Sequence, residues 1–506
     1  MSKYPNISGG LLTRNVFLSF IGQIAPLVVA VATMPYVIHG LGAERFGILS
    51  LAWVIFGYFN LFNFGLGRAT AKFVAEAWGK GMEEQIPPLV WTSLAVNVVL
   101  GGIGGAVMTV VTSILTERVL NIPPNLLGET KSMFYVLSFS LPVVMCYGVL
   151  KSVLEATQRF DWVNVIKVPA SSVTYLIPAL GVVWDFDLAG ITFMLLIARF
   201  VTLLVYLALC FRVFPDMKSN VVLSSGVIVP LMTFGGWVTV ASIVIPVLLY
   251  LDRFLIGILL SMGAVTFYTT PYELVSKLQI LPTSFALVIF PALSALVSVR
   301  KDDFERIYAR SLKYLLLFMG PMVLILILFA HDLLQLWLGA EFATESARVL
   351  QILALGVLIN ALAQMPANLL DGIGRPDLRA KIFALILPPY CVFLWLLIGK
   401  FGIVGAALAW ALRACIELAV LFGIAWKLVG LRAELFIKNG VIVMSIIIVG
   451  LAVVVSFINA ASDGEILARL VLMGVSLVVF ALVSWRFALD VADKRSLLMA
   501  IGRWKG

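Results

Sequence analysis

Stretches of about twenty apolar residues follow one another along nearly all of the 506-residue chain, parted only by short polar connections. A run of that length crosses the hydrocarbon of a bilayer as one helix, which satisfies its own backbone hydrogen bonds there. Fourteen such runs are read: 16–38, 46–66, 89–114, 132–153, 165–184, 188–211, 227–250, 264–296, 312–330, 349–370, 380–398, 402–426, 440–459 and 466–485. The run 264–296 is too long for one straight crossing, and Pro271, Pro282 and Pro291 point to breaks in it. Only 12% of residues are charged, about half the share in an ordinary soluble domain. The largest polar connections (67–88, 115–131, 297–311, 331–348 and the tail 486–506) are too short for a soluble catalytic domain. The expected fold class is an all-α polytopic membrane protein with about 14 transmembrane helices.

A net charge of +9 would also suit a nucleic-acid binder, but its distribution is topological. With an even number of spans, 26 of the 36 Lys and Arg fall on the side of the termini and 7 on the other. That excess marks cytoplasmic segments, so both termini are expected in the cytoplasm and no nucleic-acid partner is expected. Lys3, Arg14 and Ala30-Val31-Ala32 imitate a cleavable signal. The apolar run continues to Ile38, however, and is read as a retained span. Cys146, Cys210, Cys391 and Cys415 all lie in apolar runs without CxxC spacing and read as small hydrophobes. His39 and His331 are far apart at outer span edges, so no metal site and no other cofactor is expected.

The chain repeats itself. Leu154-Glu155-Ala156-Thr157-Gln158-Arg159-Phe160-Asp161 is echoed by Leu370-Asp371-Gly372-Ile373-Gly374-Arg375-Pro376-Asp377, 216 residues later. The segment from Leu41 to Gly47 is echoed from Met262 to Tyr268, and Phe186–Gly190 from Phe401 to Gly405, at offsets of 221 and 215. A shared order at near-constant offset implies two pseudo-symmetric six-helix lobes. They comprise 1–221 (spans 1–6) and 222–430 (spans 7–12), with 431–506 adding spans 13–14 and a cytoplasmic tail. Paired lobes of this kind rock about a central site in secondary transporters.

Charges inside spans are the sharpest local signals, because each costs about 2.5–3.5 kcal/mol at mid-membrane. Arg199, Lys277 and Arg413 stand out, and Arg199 and Arg413 are near-equivalent in the two lobes at an offset of 214. They are expected to face one cavity, where guanidinium forks bind a diphosphate through paired hydrogen bonds. The blander alternative is self-neutralisation, since Glu273 precedes Lys277 and Glu417 follows Arg413 by four residues. Arg199 has no acidic residue in its span. Asp252 and Arg253, at the outer end of span 7, read as an interfacial charge pair or a gate. Glu273, Glu417 and Asp252 are the candidates to carry a coupling proton or sodium ion.

Asn360, Gln364 and Asn368 recur every four residues, followed by Asp371, as one polar stripe. Span 2 offers Tyr58, Asn60, Phe62 and Asn63, and Tyr268 and Tyr272 share a face of span 8. Such groups either contact a glycan or hydrogen-bond helix to helix, a glue worth about 0.6 kcal/mol each. Segment 67–88 reads as an amphipathic helix at the cytoplasmic surface, with Arg68 and Lys72 one turn apart and Phe73 and Ala77 on a more apolar face. The candidate substrate-binding residues are Arg199, Arg413, Lys277, Arg253, Asn360, Gln364, Asn368, Arg68 and Lys72. The glycines at 101, 102, 104 and 105 lack the Lys-Ser/Thr end of a phosphate loop, so ATP hydrolysis is not expected. They and the prolines at 26, 35, 388 and 389 suit close packing and bends.

Met34-Pro35-Tyr36, the run from Gly40 to Gly47, Phe64-Gly65-Leu66-Gly67-Arg68-Ala69, Leu251–Gly257 and Gly372-Ile373-Gly374-Arg375-Pro376 together resemble one family. It is the oligosaccharide (O-antigen/exopolysaccharide repeat-unit) flippase family of the multidrug/oligosaccharidyl-lipid/polysaccharide exporter superfamily. The resemblance implies lobes in a V around a central, cationic cavity. It further implies transfer of an undecaprenyl-diphosphate-linked oligosaccharide to the outer leaflet of the cell inner membrane, among membrane lipids and with polysaccharide polymerase machinery as a partner. A lipid II flippase and a cation-coupled multidrug exporter are the alternatives within the superfamily. An enzyme acting on lipid-linked glycans is not expected, because the outer segments offer His39, His331 and Asp332 with little assembled around them.

Overall fold

A computed structural model describes residues 9–62, 64–285, 301–373, 375–461, 466–491 and 493–494, and among these there is no strand. The long helices are α1 (Gly9–Phe62), α2 (Phe64–Gly79), α3 (Ile86–Ile114), α4 (Leu127–Ala156), α5 (Phe160–Val183), α6 (Leu188–Val213) and α7 (Ser225–Leu259). They continue with α8 (Met262–Ser276), α9 (Lys301–Leu328), α10 (Ala330–Leu338), α11 (Ala340–Gly372), α12 (Pro376–Val429), α13 (Val441–Ala461) and α14 (Ile466–Val483). Ten of the described helices are long and apolar enough to cross a membrane, and the chain is a multi-pass membrane protein.

α1 and α12 each hold 54 residues. At 1.5 Å per residue a straight rod of that length spans about 80 Å, far beyond a hydrocarbon core of about 30 Å. Each is broken once, at Gly42 (φ 78°) and at Gly402 (φ 59°). Positive φ is open to glycine at no steric cost, so each helix turns back as two arms. The long run at 264–296 is interrupted too, not at Pro271 or Pro282, which lie within helix, but between them. There α8 tightens into a 3₁₀ turn at Lys277–Gln279 before helix resumes over 280–285; Pro291 lies outside the described residues.

The repeated phrase is also a repeated hydrogen-bond pattern. α4 ends where Gln158 takes φ 60°; its N–H donates to the Glu155 carbonyl at 3.0 Å, and the Arg159 N–H to that of Leu154 at 2.9 Å. This is a Schellman stop. In α11 the Arg375 N–H donates to the Leu370 carbonyl at 2.9 Å, one repeat later. Both arginines then pair with the aspartate two residues on, at 3.6 Å for Arg159–Asp161 and 3.0 Å for Arg375–Asp377.

The chain forms two compact units, Met1–Thr266 and Phe267–Gly506. In the first, α4 is the central helix, packed on α3, α6, α2 and α1, with Met133, Phe134, Leu137, Leu141 and Val144 fully buried. A Cβ at Gly101 or Gly105 would fall 2.6 Å from the α4 backbone, so the glycine cluster is where α3 lies closest to α4. α7 lies against α2, α1 and α3. The second arm of α1 approaches the start of α8 so closely that a Cβ at Gly47 would sit 1.9 Å from the Met262 carbonyl oxygen. Gly47→Ala is therefore expected to lower stability by about 1–3 kcal/mol, the usual cost of overpacking. An unchanged Tm of the purified variant would contradict that contact.

In the second unit, α11 packs on α12, α10 and α9, and α13 lies along α9. The last two spans are fastened at both ends. Arg469 of α14 grips Asp332 of α10 with two bonds, of 2.8 and 3.1 Å. Beyond the other end of α14, the fully buried Asp493 accepts from the buried Lys313 Nζ and, at 2.6 Å, from the Tyr314 hydroxyl. Arg310 meets Asp490 at 2.6 Å.

Candidate functional site

A cavity of about 660 Å³ opens between α4, α5 and α6. α6 starts where it does because Asp187 caps it: the Asp187 side chain accepts from the Gly190 N–H at 2.7 Å. Twelve residues beyond that cap, Arg199 sits half-buried on the cavity wall, its Cζ 3.9 Å from the centre of the Phe56 ring. Its guanidinium donates to the Tyr147 hydroxyl oxygen of α4. Tyr147 itself stacks on Tyr206 at 6.3 Å with an interplanar angle of 12°. No carboxylate among the described residues pairs with Arg199, and its Nε has no acceptor. Lys151 and Lys167 line the same cavity. Lys151 is shared with Glu155 at 3.2 Å, whereas Lys167 enters no ion pair among the described residues. Ser171, Thr174 and Thr202 add hydroxyls. Arg199 and Lys167, with Lys151 shared with Glu155, one stacked aromatic pair and neutral donors have the chemistry to hold an anion beside hydroxylated groups.

The narrower cavity, about 190 Å³, lies between the arms of α12. Arg413 is buried on its wall, 3.7 Å from Glu417 and over the rings of Tyr390 and Trp410. Trp410 meets Tyr272 edge-on at 5.6 Å, and Tyr272 stacks on Tyr268. The two cavities are one cavity repeated. Of the eleven residues lining the narrower, ten fall on lining residues of the wider when moved back by 216 on the first arm and 214 on the second. Ile382 answers to Ile166, Leu385 to Pro169, Tyr390 to Thr174 and Arg413 to Arg199. The two arginines are thus equivalent, as their offset implied, but each lines a cavity of its own unit.

The remaining expected residues are placed as follows. Lys277 and Glu273 form the helical pair, 3.2 Å apart and half-exposed. Asn360 and Gln364 both bind Gln279, at 3.0 and 2.5 Å, so these two members of the stripe tie α11 to the 3₁₀ turn. Asn368 is half-buried in α11, and Asp371 pairs with Arg379 at 2.8 Å. Asp252 and Arg253 are both buried inside α7, which runs on to Leu259. The helix backbone continues through the paired charges to Leu259, past the end of the apolar run at position 250. The Asp252 carboxylate accepts from the Arg253 N–H at 2.8 Å, and the Arg253 guanidinium lies 5.2 Å from the Tyr250 ring. Arg68 and Lys72 are exposed on α2, Lys72 reaching Glu76 at 3.9 Å. The opposite face of α2, with Leu66, Ala69, Thr70 and Val74, is buried. Asn63 and the side chains of Tyr58, Asn60 and Phe62 lie outside the described residues.

Lys151, Lys167, Tyr147 and Tyr206 were not singled out from the sequence. The available signal was that Lys151 and Lys167 flank the repeated phrase with no basic residue at Ala367 or Phe383, their equivalents in the second copy.

Two repeated units of membrane-crossing helices, each with an arginine-bearing cavity, have the fold of transporters of the multidrug/oligosaccharidyl-lipid/polysaccharide exporter superfamily. The structure matches an inward-facing multidrug resistance MATE family transporter with a TM-score of 0.71, over 81% of this chain and 94% of that one, at 14% identity. It matches the lipid II flippase MurJ in its inward closed conformation with a TM-score of 0.69, over 94% and 99%, at 12% identity. Within that fold, residues 12–297 match the family described as polysaccharide biosynthesis protein, and the chain belongs to that family. A candidate O-antigen transporter of Shigella flexneri is 28% identical over 411 residues, covering 81% of this chain and 96% of that protein.

Proposed function

We propose that this protein is a flippase that carries an undecaprenyl-diphosphate-linked oligosaccharide from the cytoplasmic to the outer leaflet by alternating access, for surface polysaccharide synthesis. The observation that carries the reading is Arg199, a permanently charged group with no carboxylate partner among the described residues, set with Lys151 and Lys167 in a cavity of about 660 Å³. An uncompensated cation is costly in a membrane unless an anion spends part of the cycle beside it. The relationship to a candidate O-antigen transporter supports a glycan as cargo. The V arrangement and central cavity implied by the family resemblance belong to this reading. So do placement in the inner membrane with cytoplasmic termini, and association with polysaccharide polymerase machinery. Arg253, Lys277, Asn360, Gln364, Asn368, Arg68 and Lys72 remain candidate contacts along the path. Of the coupling candidates, Glu417 is buried beside Arg413, Asp252 is buried in α7, and Glu273 is half-exposed beside Lys277.

The likeness to MurJ favours lipid II as the second reading of the cargo. Expression of Arg199→Ala with Arg413→Ala in a matched flippase-null strain is expected to leave the surface without glycan, while wild type restores it. Full complementation by the double variant at normal protein level would refute the paired-arginine site. Rescue of a peptidoglycan-flippase depletion by wild type would turn the reading to lipid II.

A further inference from the structure

We propose that Phe56 of α1 is the positioning residue for Arg199: its ring holds the guanidinium from behind and leaves the cavity side free for an anion. The proposal rests on the flippase reading, which gives this cavity the diphosphate head group. It deepens that reading by naming what keeps the cation ordered without neutralising it.

The argument is how this chain holds other arginines that lie over rings. Arg159 lies over Trp162 and pairs with Asp161, and Arg379 lies over Phe383 and pairs with Asp371. Arg413 lies over Tyr390 and Trp410 and pairs with Glu417. In each, a ring takes one side of the guanidinium and an acid another, so a further anion must compete with that acid. At Arg199 the ring is as close as the closest of these, 3.9 Å to Phe56, but no described carboxylate joins it. The acceptor there is the Tyr147 hydroxyl, and Leu203 stands four residues on, where Arg413 has Glu417. Phe56 is 2% exposed and is not one of the residues lining the cavity. It therefore meets the guanidinium from the side away from the cavity. A ring on the face of a guanidinium leaves the in-plane N–H donors open. The ring is itself fixed in place. Trp53, three residues earlier in α1, rests edge-on against Tyr175 of α5 at 5.6 Å. Gly57, the next residue, lies where a Cβ would fall 3.0 Å from the Tyr250 hydroxyl of α7. The arm of α1 that carries Phe56 is thus held by α5 and by α7. An arginine free to sample rotamers loses that freedom when an anion binds it. Here the ordering is already done by the fold, before the anion arrives.

The test uses the full-length purified protein, with inorganic diphosphate and undecaprenyl diphosphate as probes. Phe56→Leu removes the ring and keeps an apolar side chain. A ring-fluorinated phenylalanine at position 56 keeps the shape but draws electron density from the ring face, so it serves if the leucine variant does not fold. Both variants are expected to bind both probes more weakly than wild type. For Phe56→Leu the loss is roughly 2- to 12-fold, the effect of ordering one long side chain at the moment of binding. In the Arg199→Ala background, Phe56→Leu is expected to change neither affinity further, because the ring acts only through the guanidinium. A folded Phe56 variant that binds as wild type does would overturn the proposal. So would an equal loss in the Arg199→Ala background, which is what a packing role alone would give. Failure of the wild type to bind either probe would instead remove the flippase reading itself, and the proposal with it.

Discussion

Arg199→Ala is expected to lower the affinity of the protein for a lipid-linked diphosphate by roughly 10- to 150-fold, at unchanged protein level. A hydrogen bond to a charged group contributes about 1.5–3 kcal/mol net, and each 1.4 kcal/mol is tenfold. The Arg199 guanidinium holds Tyr147 and covers Phe56 but is paired with no carboxylate among the described residues. Its removal therefore strands no buried acid, and stability should change little. Arg199→Lys keeps the charge and loses the planar fork, so it should recover only part of the affinity. The contrast is Arg413→Ala, which leaves the buried Glu417 without its cation and should show itself first as lost protein. Titration of purified variants with undecaprenyl diphosphate, beside a thermal melt, separates the two effects. Equal affinity of Arg199→Ala and wild type would contradict the assignment of the head-group cavity.

The second large effect is structural. Asp493→Ala is expected to destabilise the second unit by about 3–5 kcal/mol, the usual cost of stranding one partner of a buried ion pair. Lys313 and Asp493 are both fully inaccessible, and the Asp493 carboxylate also takes the Tyr314 hydroxyl and the Asp490 N–H. The Ala488 carbonyl, 3.2 Å from Lys313 Nζ, is the one further acceptor shown for that ammonium group. Replacing both partners by apolar residues, Lys313→Met with Asp493→Leu, should restore most of the loss, because neither member of the buried pair is then left behind and Arg310, 3.3 Å from Asp493, keeps Asp490. Unfolding of the purified variants measures this. A single variant within about 1 kcal/mol of wild type would show that the pair is not what fastens the chain beyond α14 to α9.

Much of the architecture was legible because the membrane imposes simple rules. Span length and the breaks at Gly42 and Gly402 follow from the thickness of the hydrocarbon and from glycine's tolerance of positive φ. The repeated phrase was readable because the same helix stop is built twice, down to the bonds of Arg159 and Arg375. Arg199 was legible because an unpaired charge in an apolar run has few structural excuses. Lys151 and Lys167 were hidden by the rule that exposed the topology: a lysine near a span end counts as a loop charge, whatever direction its side chain takes. The helix past Asp252 and Arg253 was not legible because hydropathy falls at paired charges, while the helix backbone continues through them to Leu259. The tie from Asn360 and Gln364 to Gln279 bridges 81 and 85 residues, and that from Lys313 to Asp493 bridges 180. Pairings at such separations are set by packing and leave no local pattern.

Transport itself is tested most directly with the full-length protein in sealed vesicles containing an undecaprenyl-diphosphate-linked oligosaccharide, using an added glycosidase that reaches only the outer leaflet. Wild-type vesicles should let the enzyme consume the whole lipid pool, at a rate at least tenfold above that of Arg199→Ala vesicles. Consumption that halts at half the pool in wild-type and protein-free vesicles alike would contradict transport by this chain.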